Sequence, residues 1–236
     1  MESRYIEAGW KLIDLIFPPC CAGCGKWGER YCQNCIGLTK RIKPPLCQAC
    51  GEPVDDVLNS VCQRCQSDTI YFSAVRSWAI FEEPLKTAIH NLKYNRDIGL
   101  GGFLAKPLAS MLVQYDWEID LIAAVPLDAK RKKQRGYNQS VLLARPLAWM
   151  TGIEFNQKIL SRSRCTLPQV GLSRKERNVN LVGAFSSDSA IVEGKTILVV
   201  DDVVTTGSTL NECSRTLLDS GAKGAYGLTL ARSSLL

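Results

Sequence analysis

Residues 197–209 read ILVVDDVVTTGST, and this stretch decides the fold that we expect of the chain. Its first four residues are apolar, which is typical of a buried strand, and the strand ends in two adjacent carboxylates, Asp201 and Asp202. A hydroxyl-rich loop with Gly207 follows and enters a helix-like segment without a break. A strand that leads through such a loop into a helix is a unit of α/β proteins, so we expect further parallel strands on either side of it.

Short apolar runs alternate with helix-like segments on both sides of this stretch. DLIAAVP at residues 120–126 and AYGLTLAR at residues 225–232 are the clearest additional strands. The alternation predicts an α/β protein with a doubly wound, mainly parallel sheet. YFSAVRSWAIF at residues 71–81 predicts a strand pair or one long strand. LGGFLAKPLASMLVQY at residues 100–115 predicts a helix that is interrupted or kinked near Pro107.

The N-terminal part of the chain differs, because nine of the eleven cysteines fall before residue 66. Eight of them form four CxxC pairs, and two such pairs complete a tetrahedral zinc site. We therefore predict a zinc ribbon domain at residues 1–66, with structural Zn2+ and most simply two ions, and a second domain at residues 67–236. Sequential and crossed pairing of the four pairs both remain open, and iron–sulfur or redox chemistry is the alternative. The predicted ligands are Cys21, Cys24, Cys32, Cys35, Cys47, Cys50, Cys62 and Cys65.

Composition and charge narrow the class of protein. The chain has 236 residues, of which 46% are hydrophobic and 22% charged, and its net charge of +6 favours anionic partners. His90 is the only histidine, which removes most candidates for a Ser-His-Asp triad or a His-rich metal site. The N-terminus lacks the pattern of a secretory signal, and no run of eighteen apolar residues occurs, so we expect a cytoplasmic protein without a membrane span.

The loop after the strand at residues 197–200 is a candidate phosphate-binding site. Backbone amides at a helix start, together with side-chain hydroxyls, bind a phosphate dianion well. No Walker lysine is present, which excludes a P-loop NTPase. Adjacent carboxylates would repel a phosphate unless they face ribose hydroxyls or Mg2+, and we expect both to face solvent when no ligand is bound. The alternative is a capped strand–helix junction. The candidate phosphate-binding residues are Thr205, Thr206, Gly207, Ser208 and Thr209.

These motifs together resemble a known family. ILVVDDVVTTGST resembles the phosphoribosyl-pyrophosphate (PRPP) motif of type I phosphoribosyltransferases, and nearly the whole chain resembles the ComF/GntX family, the competence protein F group. LKYNRD at residues 92–97, QRGYNQS at residues 134–140 and LSRKERNVNLVGAF at residues 172–185 also carry the resemblance. It implies a double zinc ribbon, a type I phosphoribosyltransferase-like domain, PRPP with Mg2+ as ligands, and a role in DNA uptake during natural transformation.

The resemblance also implies roles for individual residues. Asp201 and Asp202 would be catalytic and contact the ribose hydroxyls, while residues 205–209 would bind the 5-phosphate. Leu127 and Asp128 would belong to the pyrophosphate loop. Residues 172–185 would form a lid over the site, and its candidates for contact with pyrophosphate are Arg174, Lys175 and Arg177.

A basic run precedes the QRGYNQS motif, after the strand DLIAAVP. Ligands of open parallel sheets bind at the carboxyl ends of strands, which favours a functional role for the run. It is a pyrophosphate clamp, a track for single-stranded DNA with Tyr137 available for base stacking, or only a solvated face. Its cations are Lys130, Arg131, Lys132, Lys133 and Arg135.

Two functions are consistent with these observations. The first is an enzyme that transfers ribose 5-phosphate from PRPP to a nitrogen nucleophile and releases pyrophosphate. The second is a non-catalytic protein that handles single-stranded DNA and uses the PRPP site for binding or regulation. The expected partners are PRPP, single-stranded DNA and the DNA-uptake machinery, while the sequence leaves the acceptor and the oligomeric state open.

Overall fold

A five-stranded parallel sheet forms the centre of the molecule. The computed structural model describes residues 18–55, 60–163 and 181–233. The strands are β1 Ala74–Ile80, β2 Leu121–Ala124, β3 Glu154–Phe155, β4 Leu160–Arg162, β5 Phe185–Ser187, β6 Thr196–Val204 and β7 Gly224–Arg232. The sheet order is β1-β7-β6-β2-β3, and β4 and β5 form a separate antiparallel pair. This arrangement confirms the predicted fold class.

Helices cover both faces of the sheet, because alternate residues of its strands point to opposite sides. Leu198 and Val200 of β6 pack with one set of helices, and Ile197 and Val199 pack on the opposite side. The helices are α1 Gln33–Leu38, α2 Gln63–Ser67, α3 Leu85–Tyr94, α4 Leu100–Gln114, α5 Ala129–Arg135, α6 Gln139–Thr151, α7 Ser189–Val192 and α8 Ser208–Asp219. The first face carries α3, α4 and α6, and the second carries α8.

Two local predictions are resolved by the structure. The segment at residues 71–81 contains one strand, β1, and not a strand pair. Of the predicted interruption or kink near Pro107, the interruption is wrong, because α4 continues through this residue from Leu100 to Gln114, and the kink stays a prediction. Leu104, Leu108 and Leu112 are buried along one face of the helix, so packing against the sheet offsets the amide that proline lacks.

The cysteine-rich segment packs onto the edge of the sheet at β1. The backbone amides of Ile42 and Ile80 donate to Trp78 and Lys40 at 3.2 and 2.8 Å, so residues 40–42 run beside β1 and cover its outer edge. Cysteines of this segment are buried in the same two apolar clusters as the strands. The domain boundary at residue 66 stays a prediction. None of the helices in the described parts of the chain is long and apolar enough to cross a membrane.

Candidate functional site

The carboxyl end of β6 places two carboxylates in a hydrogen-bonded cluster. Ser140, at the start of α6, donates its hydroxyl to Asp201 Oδ1 at 2.8 Å. The backbone amide of Asp202 donates to the same oxygen at 2.9 Å, and the amide of Val203 donates to Asp202 Oδ1 at 2.8 Å. The carboxylates therefore have defined positions in the absence of a ligand.

The expectation that both carboxylates face solvent is wrong. Asp202 is buried, with 4% of its surface exposed, and Asp201 is partly buried. Burial, followed by the neighbouring charge of Asp202, raises the pKa of Asp201 from 3.8 to about 7. Asp202 is instead paired with a cation from another element. The two carboxylates thus differ in environment although they are adjacent in sequence.

That cation is Lys93 of α3, whose Nζ lies 2.7 Å from Asp202 Oδ2. Burial is the largest influence and acts to lower the pKa of Lys93, but the charge of Asp202, its hydrogen bond with Lys93 and the charge of Asp201 together raise the pKa. Lys93 belongs to the LKYNRD motif, but the sequence did not predict a role for it. The one indication in the sequence was a basic residue near the carboxyl end of a parallel sheet. It did not identify the partner, Asp202, which is 109 positions away in the chain. This pair therefore depends on the packing of α3 against the sheet.

The phosphate loop, residues 205–209, joins β6 to α8. Gly207 has a φ of +80°, a left-handed conformation that favours glycine, and it directly precedes the first residue of the helix. The hydroxyls of Thr206 and Ser208 are 2.8 Å apart. The N-terminus of this twelve-residue helix carries the positive end of the helix dipole, which favours an anion. The predicted phosphate-binding residues thus lie together, while their role stays a prediction.

A cleft of about 670 Å3 lies over the carboxylates and the phosphate loop. Its wall is rich in cations, which favours an anionic ligand. Arg96 adopts a φ of +55°, which is uncommon outside glycine and is found at functional sites. The cations that line the cleft are Lys93, Arg96, Arg131, Arg135 and Arg162.

The basic run is divided by the geometry of α5. Arg131 and Arg135 are one helical turn apart and line the cleft. Lys130, Lys132 and Lys133 are exposed and lie outside the cleft lining. The run therefore presents two surfaces, an inner pair of arginines and an outer group of lysines.

The other residues predicted around the pyrophosphate have mixed positions. Leu127 lines the cleft, whereas Asp128 caps α5 and accepts the amide of Arg131 at 2.9 Å. The Tyr137 hydroxyl donates to the carbonyl of Leu92 at 2.7 Å, which ties the start of α6 to α3. Base stacking by Tyr137 stays a prediction. The lid candidates Arg174, Lys175 and Arg177 lie outside the described residues.

The cysteines form two groups with sequential pairing. In each group the four Sγ atoms lie within 4.8 Å of one another, as tetrahedral coordination of one Zn2+ requires. The amides of Cys32 and Cys62 donate to the sulfurs of Cys21 and Cys47 at 3.3 and 3.4 Å. The two sites therefore fit structural zinc. The first cysteine group is Cys21, Cys24, Cys32 and Cys35, and the second is Cys47, Cys50, Cys62 and Cys65.

Two family models match the chain, in agreement with these sites. The model of the double zinc ribbon domain matches residues 12–66. The model of the phosphoribosyl transferase domain matches residues 108–231, which is more than half of the chain.

Proteins with DNA-related names are similar over most of this length. The DNA utilization protein YhgH of Escherichia coli is 33% identical over 89% of this chain and 92% of its own. Competence protein F of Haemophilus influenzae is 33% identical over 84% of this chain and 90% of its own. Among solved structures, the glutamine PRPP amidotransferase from B. subtilis is 22% identical, covers 59% of this chain and 30% of that chain, and has a TM-score of 0.40.

Proposed function

This chain belongs to the ComF/GntX family, the competence protein F group, and we propose that its cleft binds PRPP and catalyses phosphoribosyl transfer. The observation that carries the proposal is the juxtaposition of the phosphate loop, the carboxylates and a wall of cations in one cleft. PRPP has a 5-phosphate, ribose hydroxyls and a pyrophosphate, which match these three features in turn. The proposed setting is the cytoplasm, in the handling of incoming DNA.

The reaction breaks the bond between the anomeric carbon of the ribose and a pyrophosphate oxygen. Pyrophosphate leaves with the electron pair, the acceptor nitrogen forms the new bond to carbon, and that nitrogen releases a proton. Positive charge develops on the ribose, so the carboxylates of Asp201 and Asp202 would stabilise the transition state. Arg131 and Arg135 would stabilise the charge on the leaving pyrophosphate.

Mg2+ would enter with PRPP, and the carboxylate oxygens at the end of β6 are ligands that it accepts. Once bound, the ion would neutralise part of the pyrophosphate charge. Lys93 would keep Asp202 in place, because their ion pair is largely shielded from solvent. Ser140 would orient Asp201 through its hydrogen bond.

Calorimetry with PRPP and Mg2+ tests the binding step, using Gly207→Val. We expect binding at least about tenfold weaker, a loss of roughly 1.4 kcal/mol, because valine strains the left-handed backbone and fills the phosphate loop. Gly194→Val is a matched control: Gly194 has a φ of +68°, a Cβ added there would meet no atom within 4 Å, and the residue does not line the cleft. This control should bind PRPP as the wild type does.

The transfer step is tested by pyrophosphate release from PRPP with a panel of nucleobases. Release that depends on one base and is reduced in the Gly207→Val variant would support the enzyme. If both glycine variants bind PRPP with the affinity of the wild type, the loop does not bind phosphate and is only a capped strand–helix junction. An absence of PRPP binding in the wild type would overturn the proposal.

A second candidate function is the handling of single-stranded DNA, with PRPP as a bound regulator. The outer lysines of α5 favour it, because they are exposed beside the cleft and form no ion pair with a carboxylate of the described residues. The names of the relatives, DNA utilization protein and competence protein, also support a function in DNA handling. The two functions are compatible, and different residues of α5 would serve each.

A further inference from the structure

Arg232, the last residue of β7, is a buried cation to which the proposed reaction gives no role. Only 1% of its surface is exposed. Its Nη2 donates to the carbonyl of Cys50, and its Nη1 lies 3.7 Å from a carboxylate oxygen of Glu52. Its Nε and Nη1 have no hydrogen-bond partner among the described residues. A buried charge of this kind is costly unless another charge compensates it.

Compensating negative charge lies at Glu52 and at the second cysteine group. A Zn2+ ion with four thiolates has a net charge of −2, and two arginines lie beside this group. One is Arg232, and the other is Arg64 of α2, whose Nη2 lies 3.1 Å from Glu52. Arg64 is part of the ribbon, whereas Arg232 reaches the group from the central sheet. Arg232 is thus a direct link between the second metal site and the sheet.

The backbone of Arg232 is connected to the wall of the cleft. The residue pairs with Val204 in the neighbouring strand β6, and the amide of Ser233 donates to the Val204 carbonyl at 2.9 Å. The amide of Phe81 donates to the Arg232 carbonyl at 2.7 Å. Val204 and Phe81 both line the cleft, and Val204 directly precedes the phosphate loop. One residue therefore contacts the second cysteine group with its side chain and the base of the phosphate loop with its backbone.

The second cysteine group is itself fixed against the sheet. The amide of Val75 in β1 donates to the carbonyl of Ala49 at 2.7 Å. A Cβ on Gly51 would lie 2.4 Å from the Val75 carbonyl oxygen, so only glycine permits this close approach. The CxxC turn at residues 47–50 thus contacts both β1 and Arg232. If metal loss changes the shape of this turn, the change would be transmitted to the end of the sheet.

We propose that Arg232 is a positioning residue through which the second cysteine group, when it holds its metal ion, sets the conformation of the phosphate loop. Metal loss from this group then loosens the loop, whereas loss from the first group does not. By linkage, a ligand that orders the loop also slows metal release from the second group. The proposal has two parts: a loop arm, the effect of the metal on the phosphate loop, and a ligand arm, the effect of a loop-binding ligand on metal release. The ligand arm rests on PRPP binding as proposed above, and the loop arm does not.

Hydrogen exchange of the backbone amides of residues 204–209 tests the loop arm, using Arg232→Met and the matched control Arg64→Met. Both variants remove one cation from the same metal site, so both should release zinc faster to a chromogenic chelator. Only Arg232→Met should also increase exchange in the loop, by about fivefold or more. Arg232→Lys keeps the charge but loses the planar guanidinium, so its loop exchange should exceed that of the wild type by less than that of Arg232→Met. If the methionine variant fails to fold, Arg232→Lys is compared with Arg64→Met in its place.

Equal loop exchange in the Arg64 and Arg232 variants would overturn the proposal, as would unchanged exchange in both Arg232 variants. The ligand arm uses Cys24→Ser, which alters the exposed ligand of the first cysteine group and leaves the second intact. PRPP with Mg2+ should slow zinc release from this variant by about fivefold or more. If calorimetry shows PRPP binding without such slowing, the linkage is wrong. If PRPP does not bind at all, the proposed function fails and loop exchange still decides the role of Arg232.

Discussion

The cysteine groups and the cleft both bring ionisable side chains together, but they differ in whether these side chains need a partner from outside the protein besides a metal ion. Each cysteine group supplies all four ligands that a zinc ion needs, so no position stays open for substrate. Among the described residues, the cleft has five lining cations against two carboxylates, one of which is already paired with Lys93. This excess of positive charge favours an anionic ligand.

Because of this difference, changes in the cysteine groups should affect the stability of the fold, and changes in the cleft should affect ligand binding. Cysteines of both groups belong to the apolar clusters of the sheet, so the loss of their metal should disturb the core. The phosphate loop and the arginines of α5 line an open cleft, so their replacement should affect ligands more than the fold. Three predictions test this contrast, in order of decreasing effect.

The largest effect is expected for Cys47→Ser combined with Cys50→Ser. Both residues are buried, and structural zinc contributes about 10 kcal/mol of binding free energy in small ribbon domains. We therefore expect the loss of about one zinc ion per chain and a Tm lower by at least about 10 °C. Metal analysis and thermal unfolding followed by circular dichroism measure the two quantities.

Cys20→Ser is the control for this change, since Cys20 is an exposed cysteine outside both groups. It should retain two zinc ions and the wild-type Tm. Iron in the purified protein, or a folded wild type without metal, would contradict the zinc assignment. An unchanged Tm after the loss of one zinc ion would remove the contrast between the cysteine groups and the cleft.

An intermediate effect is expected from dividing the basic run of α5. The slope of log affinity for single-stranded DNA against log salt is negative, and replacing Lys130, Lys132 and Lys133 by alanine should reduce its magnitude by about 2, at roughly 0.7 per lost contact. Replacing Arg131 and Arg135 should instead weaken PRPP binding by about tenfold, because these side chains line the cleft. Fluorescence anisotropy at several salt concentrations and calorimetry measure the two ligands.

Each variant of α5 serves as the control for the other. If both changes reduce DNA and PRPP binding equally, then α5 presents one continuous anion-binding surface. Wild-type DNA affinity and slope after loss of the three lysines would show that their side of the helix is only a solvated face.

The smallest effect concerns the pH dependence of stability at Asp201. Its pKa is raised from 3.8 to about 7 in the folded state, so the folded protein holds this proton more tightly than the unfolded chain. The wild type should therefore lose stability as pH rises from about 4 to about 7. Asp201→Asn removes this loss, and its unfolding free energy should increase relative to the wild type across that window. Urea unfolding at pH 4, 5.5 and 7 measures the difference, and parallel curves would contradict the raised pKa.

Features set by local spacing could be predicted from the sequence, whereas features set by packing could not. The CxxC pairs and the strand–loop–helix stretch at residues 197–209 are short patterns, and both are found where they were expected. The Lys93–Asp202 pair joins α3 to β6, and no local pattern relates two residues so far apart. The burial of Arg232 likewise depends on where the ribbon packs, so its sequence neighbours gave no signal.

The order of strands has a consequence for synthesis on the ribosome. β1 pairs in parallel with β7, and facing residues such as Ala74 and Tyr226 are 152 positions apart in the chain, a length that takes roughly 8 to 30 s to translate. All eight cysteine ligands emerge before β1, so the nascent chain can load zinc and shield the outer edge of that strand while its inner edge awaits the last strand. A shortage of zinc during translation would leave both edges of β1 unpaired, and unpaired edges promote association between nascent chains.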